Sequence, residues 1–496
     1  MLSISGSLIW CLTLTVTNVA LAAASSPICL HAENPHYFEW RGKALALITS
    51  AEHYGAVLNL DFDWQRYLAT LERDGMNYTR VFAGSYVEPA GAFGIERNTL
   101  APAPGRFLAP WARSDEPGYA GGGNKFDLDR FSAQYLSRLK DFLTEAGNRG
   151  IVVELTFFCS TYGAGQWAVH PFNPNNNIQA LAVTDYKKLN TCDNGPAMAY
   201  QEKLVRWLVR ELNGFDNLFF EIQNEPWADH HVMGDVINPY MTERYRWPNA
   251  VEVTKAEAIA WQAAVARIVT DEESRLPQRH LIAQNVANFR LAIRPSDLAP
   301  GISIVNFHYA YPEAATWNLP LGKVIGYDET GFAGRADATY SRQAWNFLFS
   351  GGGLFNSLDY SFTVGHEDGT DADNKAPGGG SPVLRSRLKV LSKFLHSFDL
   401  AKLRPDRDLV ESSPGVVTRV LSSPGREYAL YLEGRSPTEL SLNLPAGRWR
   451  AEWMNPVDGA VLQRDQLEHN GGLRRLTSPP FTESIALRIA RVPDPS

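Results

Sequence analysis

Two glutamates of this chain close strand-like runs that lie 104 residues apart: Glu225 ends the apolar stretch NLFFEIQNEPW at 217–227, and Glu329 ends KVIGYDET at 323–330. Leu218, Phe219, Phe220 and Ile222 form a short buried-strand pattern that stops at Asn-Glu-Pro-Trp. Pro226 has no backbone N–H to continue a sheet ladder, so the chain must leave the strand just after Glu225. The second run repeats the plan, with Val324, Ile325 and Tyr327 leading to Asp328-Glu329 before Gly331. Two carboxylates at one rim suit the hydrolysis of a glycosidic bond: one protonates the leaving oxygen, the other attacks or stabilises the oxocarbenium-like centre.

The elements that must position them alternate strand and helix from about residue 43 to 398, the pattern of a βα-repeat fold with a parallel sheet. Eight strand candidates stand at 44–49, 78–83, 151–158, 218–223, 281–286, 302–307, 324–327 and 354–358, the number a (β/α)8 TIM barrel needs. Amphipathic helices are expected between them, as where Phe131, Tyr135, Leu136, Leu139, Phe142, Leu143 and Ala146 recur at three- and four-residue steps before Gly147 and Gly150. Four loops after strands, at 84–126, 160–196, 226–254 and 360–381, exceed the usual two to six residues. All fall on the strand C-terminal side, where a barrel builds its site, and they are rich in Trp, Tyr, Asn and Gly. Aromatic faces pack on sugar rings while amides bond the hydroxyls.

With the Asn224-Glu225 and Glu329 pair in place, the chain resembles the glycoside hydrolases of clan A, in particular family 5-like cellulase-type enzymes. The resemblance implies that Glu225 is the acid/base and Glu329 the nucleophile of a retaining, double-displacement hydrolysis of β-linked glycans, β-glucan- or β-mannan-like, with no cofactor and no metal. It further implies that Arg80, in NYTRVF, holds the nucleophile ionised, that Asn224 bonds the substrate 2-hydroxyl, and that His308, in NFHYAYP, is the clan's histidine. Trp227, His53 in SAEHYG, Trp167 and Asp359 join the substrate-binding expectations. The chain departs from the clan in three places. Ala310 stands where a tyrosine often follows the histidine by two, so Tyr309 or Tyr311 takes that part or it is absent; Phe157-Phe158-Cys159 replaces a common histidine, and 356–360 reads Asn-Ser-Leu-Asp-Tyr where a tryptophan is usual. These place it outside the best-known cellulase subgroups.

From about 400 to 491 short alternating runs separated by turn signals predict a small antiparallel β-sandwich, giving a barrel at 25–399 and a second domain at 400–496. It resembles the β-domains appended to clan A hydrolases, as a glycan binder or as a packing partner of the barrel. The 496 residues are 44% hydrophobic and 20% charged with a net charge of −7, which argues against nucleic acid or anionic membrane as partner and favours a neutral polysaccharide or oligosaccharide. An apolar run at 8–22 ends in Ala20-Leu21-Ala22 and reads as a secretory signal, cleaved after Ala22 or Ala24, for a secreted or periplasmic protein; an uncleaved anchor is the alternative. In an oxidising compartment Cys159 and Cys192 are candidates for a disulfide, leaving Cys29 free. No CxxC or His-x-x-x-His spacing suggests a metal, and no GxGxxG or GxxxxGK follows a strand. Two other functions compete: a catalytically inactive carbohydrate-binding barrel, against which the intact glutamate pair, Asn224 and Arg80 speak, and a barrel lyase or aldolase, which needs a rim lysine or metal cluster. Lys323 begins its strand, on the wrong face.

Overall fold

In a computed structural model of the chain, residues 26–183, 185–237 and 249–492 are described. The signal-peptide reading of 8–22 lies outside them. Among the described residues, eight parallel strands form one sheet: β1 (Leu47–Ala51), β2 (Tyr78–Phe82), β3 (Val152–Cys159), β4 (Leu218–Asn224), β5 (Ile282–Asn285), β6 (Ile304–His308), β7 (Val324–Glu329) and β8 (Leu354–Leu358). The ladder runs β1-β8-β7-β6-β5-β4-β3-β2, neighbours in sequence being neighbours in space. Every residue of these strands is buried, as a sheet covered on both faces requires. Between β1 and β2 a side chain adds to sparse backbone bonding: the Asn77 amide donates to the Ile48 carbonyl (3.4 Å), while its side chain accepts from the Ile48 amide through Oδ1 (2.8 Å) and donates to the Ala46 carbonyl through Nδ2 (2.8 Å).

The first expected strand, 44–49, divides in two. Lys43–Leu45 pairs antiparallel with Phe38–Trp40, which pairs with Cys29–Leu30, and only Leu47–Ala51 enters the barrel. Phe38, Trp40 and Leu45 of this small sheet pack on Leu47, Tyr78, Val152, Phe219, Ile304, Val324 and Leu354, sealing the N-terminal end of the barrel with apolar surface.

At the opposite end the long loops carry structure of their own. The one at 84–126 holds most of an antiparallel hairpin, Trp111–Pro117 with Asn124–Phe131; the one at 226–254 holds a helical turn, Pro226–Asp229, and the pair His231–Val236 and Ala250–Thr254.

From Arg404 on, all strands among the described residues are antiparallel, in a six-stranded and a three-stranded sheet. Alternation gives the first sheet two apolar faces. Leu430, Leu432, Ile485, Leu487 and Ile489 join Trp449 and Trp453 in a core shared with Leu440, Leu442 and Leu444 of the smaller sheet, while Ala429, Tyr431 and Ala486 point the other way into the barrel's own core. There Tyr431 stacks on Trp345 of the helix Asp337–Leu348, ring centroids 5.0 Å apart and planes 16° from parallel.

Candidate active site

Glu225 follows the last residue of β4 with φ 47° and ψ 56°, the left-handed region a non-glycine residue rarely enters. Ser160 Oγ fixes this bend by donating to the Glu225 carbonyl (2.6 Å), and Pro226 opens a helical turn. Tyr54, Tyr162 and Tyr309 also have positive φ (61°, 60° and 52°), and all four residues line one cavity of about 340 Å³ at the C-terminal mouth of the barrel. Such backbone costs free energy, and the surroundings hold it only where side chains must be aimed.

Glu329 ends β7. Tyr54 donates to its Oε2 and Tyr309 to its Oε1, each over 2.7 Å. Arg80 on β2 reaches Oε2 at 3.5 Å, and His308 Nδ1 lies 3.5 Å from Oε1. A register shift between β6 and β7 sets His308 opposite Glu329. Burial alone would push the Glu329 carboxyl up, but the cationic His308 and Arg80 and the Tyr309 hydroxyl outweigh it and hold the group well below the usual carboxylate range. Burial would push His308 down; Glu329 and Asp328 reverse that and raise it well above the usual imidazole value.

Around Glu225 the wiring is different. Tyr162 donates to Oε2 (2.8 Å), and His308 Nδ1 stands 2.9 Å from Oε1. The Tyr162 oxygen accepts from Asn224 Nδ2 (2.8 Å), and Asn224 Oδ1 accepts from Arg80 (2.8 Å), so Arg80 orients the acid side of the site through two side chains while contacting Glu329 directly. Trp227 meets His308 edge-on, centroids 5.3 Å apart. One carboxylate oxygen of Glu225 and one of Glu329 lie within 4.8 Å of each other, and His308 Nδ1 reaches both, nearer to Glu225 than to Glu329.

Below the rim the barrel interior is polar. Arg80 hydrogen-bonds Glu221 and lies 3.4 Å from Asp328; Asn306 donates to Glu154 (2.8 Å) and Glu221 (3.0 Å), and Tyr78 donates to Glu154. Burial raises Glu154 well above its usual value and Glu221 to about 7, while His308 and Arg80 hold Asp328 below its own. Glu225, His308 and Glu329 form one set of donor atoms close enough to hold a cation, and Glu154, Glu221 and Asp328 another. Arg80 already places positive charge against both.

Of the residues singled out in the sequence, Glu225, Glu329, Asn224, Trp227, His53 and Tyr309 line the cavity, while Arg80 and His308 support it from beneath. Tyr309, not Tyr311, contacts the carboxylate; Tyr311 is 37% exposed and lines a second cavity beside the C-terminal sheets. Two further expectations are corrected. Trp167 packs against His170 and Tyr186 outside the cavity, because the 160–196 loop folds back on itself. Asp359 is buried in an ion pair with Arg385 (2.6 Å) and accepts from Ser50 (3.0 Å), which pins the loop after β8 and does not reach the cavity. The disulfide is absent as well: Cys159 and Cys192 are both free, Cys192 exposed and Cys159 buried against Tyr162 and Asn224. Sequence reasoning passed over Tyr54, Tyr162 and Glu88. Glu88 and Tyr162 lie in segments already read as catalytic-face loops and Tyr54 directly follows His53, and those positions were the one available signal.

A parallel eight-stranded barrel with its polar cavity at the strand C-termini, followed by antiparallel sheets, defines the architectural class. No family model and no curated protein matches the chain. Among solved structures, a glycoside hydrolase family 5 protein of Bacteroides vulgatus ATCC 8482 is similar over 94% of this chain and 93% of its own, at 12% identity and a TM-score of 0.58. A structure described as a glycoside hydrolase covers 94% and 97% at 12% identity and a TM-score of 0.60. Another from Bacteroides vulgatus ATCC 8482, provisionally described as a glycoside hydrolase, covers 94% and 83% at 12% identity and a TM-score of 0.61. The chain therefore has the fold of these glycoside hydrolases, barrel and C-terminal sheets together.

Proposed function

We propose that this protein is a secreted retaining glycosidase that hydrolyses β-linked, neutral glycans of β-glucan or β-mannan type with two glutamates. The observation that supports the reading is that both carboxylates reach the same His308 nitrogen, Glu225 Oε1 at 2.9 Å and Glu329 Oε1 at 3.5 Å, with one oxygen of each within 4.8 Å of the other. Retaining enzymes hold the pair about 5–5.5 Å apart, whereas inverting ones leave about 6.5–9.5 Å for a water.

In the first step Glu225 gives its proton to the glycosidic oxygen as Glu329 attacks the anomeric carbon from the opposite face. The carbon–oxygen bond to the leaving group breaks, and an ester between the sugar and Glu329 forms. In the second step Glu225, now ionised, takes a proton from water; the oxygen of that water displaces Glu329 and restores both side chains. Tyr54 and Tyr309 keep Glu329 oriented in its ionised form, and His308 places positive charge between the two carboxylates. One Asn224 amide hydrogen faces only Cys159 Sγ at 3.5 Å, a weak contact that leaves it available to the sugar hydroxyl beside the reacting carbon.

The test is product release from β-glucans, β-mannans, xylans, β-galactans and host-type glycans, followed by chromatography with mass detection, with Glu329→Ala beside the wild type. Products from one polymer that vanish in the variant are expected. Retention on a glycan affinity gel without cleavage of any polymer would overturn the enzymatic reading in favour of a binding protein.

A further inference from the structure

One end of the cavity is built by residues that neither catalytic glutamate needs. Glu88, in the loop after β2, is 6% exposed; its Oε2 accepts from Asn98 Nδ2 (2.5 Å), and its Oε1 has only long contacts, with Tyr86 Oη at 3.3 Å and His53 Nε2 at 3.4 Å. His53 is 8% exposed, and its other nitrogen, Nδ1, has no hydrogen-bond partner. Nδ1 is enclosed, so the side of His53 that meets the cavity is the one beside Glu88, and both residues line the space a sugar ring would fill. Burial lowers the His53 pKa, but Glu88 and the more distant Glu329 and Glu52 carry it above its usual value. Glu88 Oε1 and His53 Nε2 set a carboxylate oxygen and an imidazole nitrogen side by side at the cavity.

The wall behind this dyad is fixed. Arg97 makes a two-pronged bond to Asp371 (2.7 Å on each oxygen), the Arg97 amide donates to Asn374 Oδ1 (3.0 Å), and the Glu96 amide donates to the Lys375 carbonyl (2.8 Å). These bonds join the loop after β2 to the loop after β8 and leave Leu100 and Phe93 facing the cavity from that side. The dyad lies on the nucleophile's side: Tyr54, the residue after His53, is a hydroxyl donor to Glu329. Trp227, Ala228 and Glu252 line the side of Glu225.

Resting on the glycosidase reading, we propose that the cavity is a single-ended pocket for one non-reducing terminal sugar, that Glu88 and His53 grip two adjacent hydroxyls on the ring edge away from the scissile bond, and that the enzyme is therefore exo-acting. A carboxylate in that position selects for a neutral terminal sugar and against a uronic acid. About 340 Å³ lies at the small end of ligand pockets, and the adjoining cavity that shares Tyr309 and Phe332 does not include Glu88 or His53, so the dyad stands at the end away from it.

The test uses the full-length enzyme with aryl β-monoglycosides, reducing-end-labelled oligosaccharides, and the same oligosaccharides capped at the non-reducing sugar by a 4,6-O-benzylidene group. Cleavage of the monoglycosides, a labelled chain that shortens by one sugar at a time, and inert capped chains are expected. Internal fragments, or cleavage of capped chains, overturn the exo assignment while leaving the glycosidase reading standing. If the wild type cuts nothing in the panel and a 2-deoxy-2-fluoro glycoside leaves Glu329 unlabelled, both fall together. Glu88→Gln and Asn98→Ala supply the residue-level arm. The wild type is expected to prefer the hydroxylated sugar over its 4-deoxy analogue in kcat/KM by at least about tenfold, and Glu88→Gln to lose most of that preference. A preference unchanged in both variants would remove Glu88 from sugar recognition.

Discussion

The Tyr162 hydroxyl donates to Glu225 Oε2 over 2.8 Å while accepting from Asn224 over the same distance, so the acid's position is set by a residue three places past the end of a different strand. Tyr162→Phe removes this donor with little change in volume. The expected result is a loss of about 10²-fold in kcat with KM nearly unchanged. Steady-state kinetics, with circular dichroism to confirm the fold, check it.

The two glutamates are separated by chemical rescue. In Glu329→Ala, azide is expected to restore turnover and give a glycosyl azide of inverted configuration; in Glu225→Ala, with an activated aryl glycoside, it is expected to give the retained one. Proton NMR of the anomeric signal reads the difference, and exchanged outcomes would reverse the roles assigned to the pair.

The pH response follows from His308 and Glu329. A carboxyl held below its ordinary value of 4.5 stays ionised to lower pH, so the acid limb of kcat/KM in the wild type should lie below that value. His308→Asn removes the cation 3.5 Å from Oε1 and should move that limb to higher pH by about 1–3 units. Stability carries the complementary signs. The lowered Glu329 stabilises the fold above 4.5 and loses this as pH falls through its folded value; the raised His308 stabilises it below 6.5 and loses this as pH rises through its folded value. Both contributions are present in full between 4.5 and 6.5, where thermal melts should show the largest difference between wild type and His308→Asn.

The cysteines offer a check independent of any substrate. Maleimide labelling followed by peptide mapping is expected to modify Cys29 and Cys192 in the native protein and Cys159 only after unfolding, and reducing agent should leave the melting temperature unchanged. A Cys159–Cys192 peptide in the non-reduced digest would contradict the structure.

The barrel was legible because burial on both faces makes its strands continuous apolar runs, and because Pro226 and Gly331 mark where the chain turns out into the rim. Glu225, Glu329, Arg80 and His308 were legible for the same reason, since they stand at or near the ends of such runs. What escaped was set by loop backbone. Tyr54, Tyr162 and Tyr309 are aimed by left-handed φ values that nothing in a non-glycine sequence announces, and the choice between Tyr309 and Tyr311 turned on one such angle. Asp359 and Trp167 had plausible types at plausible places, but their partners, Arg385 for one and Tyr186 for the other, are chosen by loops whose folding sequence spacing does not fix. Spacing could not pair the cysteines either, for Cys159 is drawn inward by Asn224 and Tyr162.

The alternation of Leu430 and Leu432 with Ala429 and Tyr431 has a consequence for how the molecule comes apart. A strand that serves two cores at once ties their melting together, so calorimetry should record one cooperative transition, and Tyr431→Ala should lower it as a whole, by about 3–5 kcal/mol if the site does not collapse. A protein cut near residue 400 would bare Trp345, Phe349 and Phe394, which now rest against Tyr431 or its neighbours. Such a shortened chain should precipitate or self-associate instead of surviving as a free-standing catalyst, and the C-terminal sheets would then count as a built-in solubiliser of the barrel.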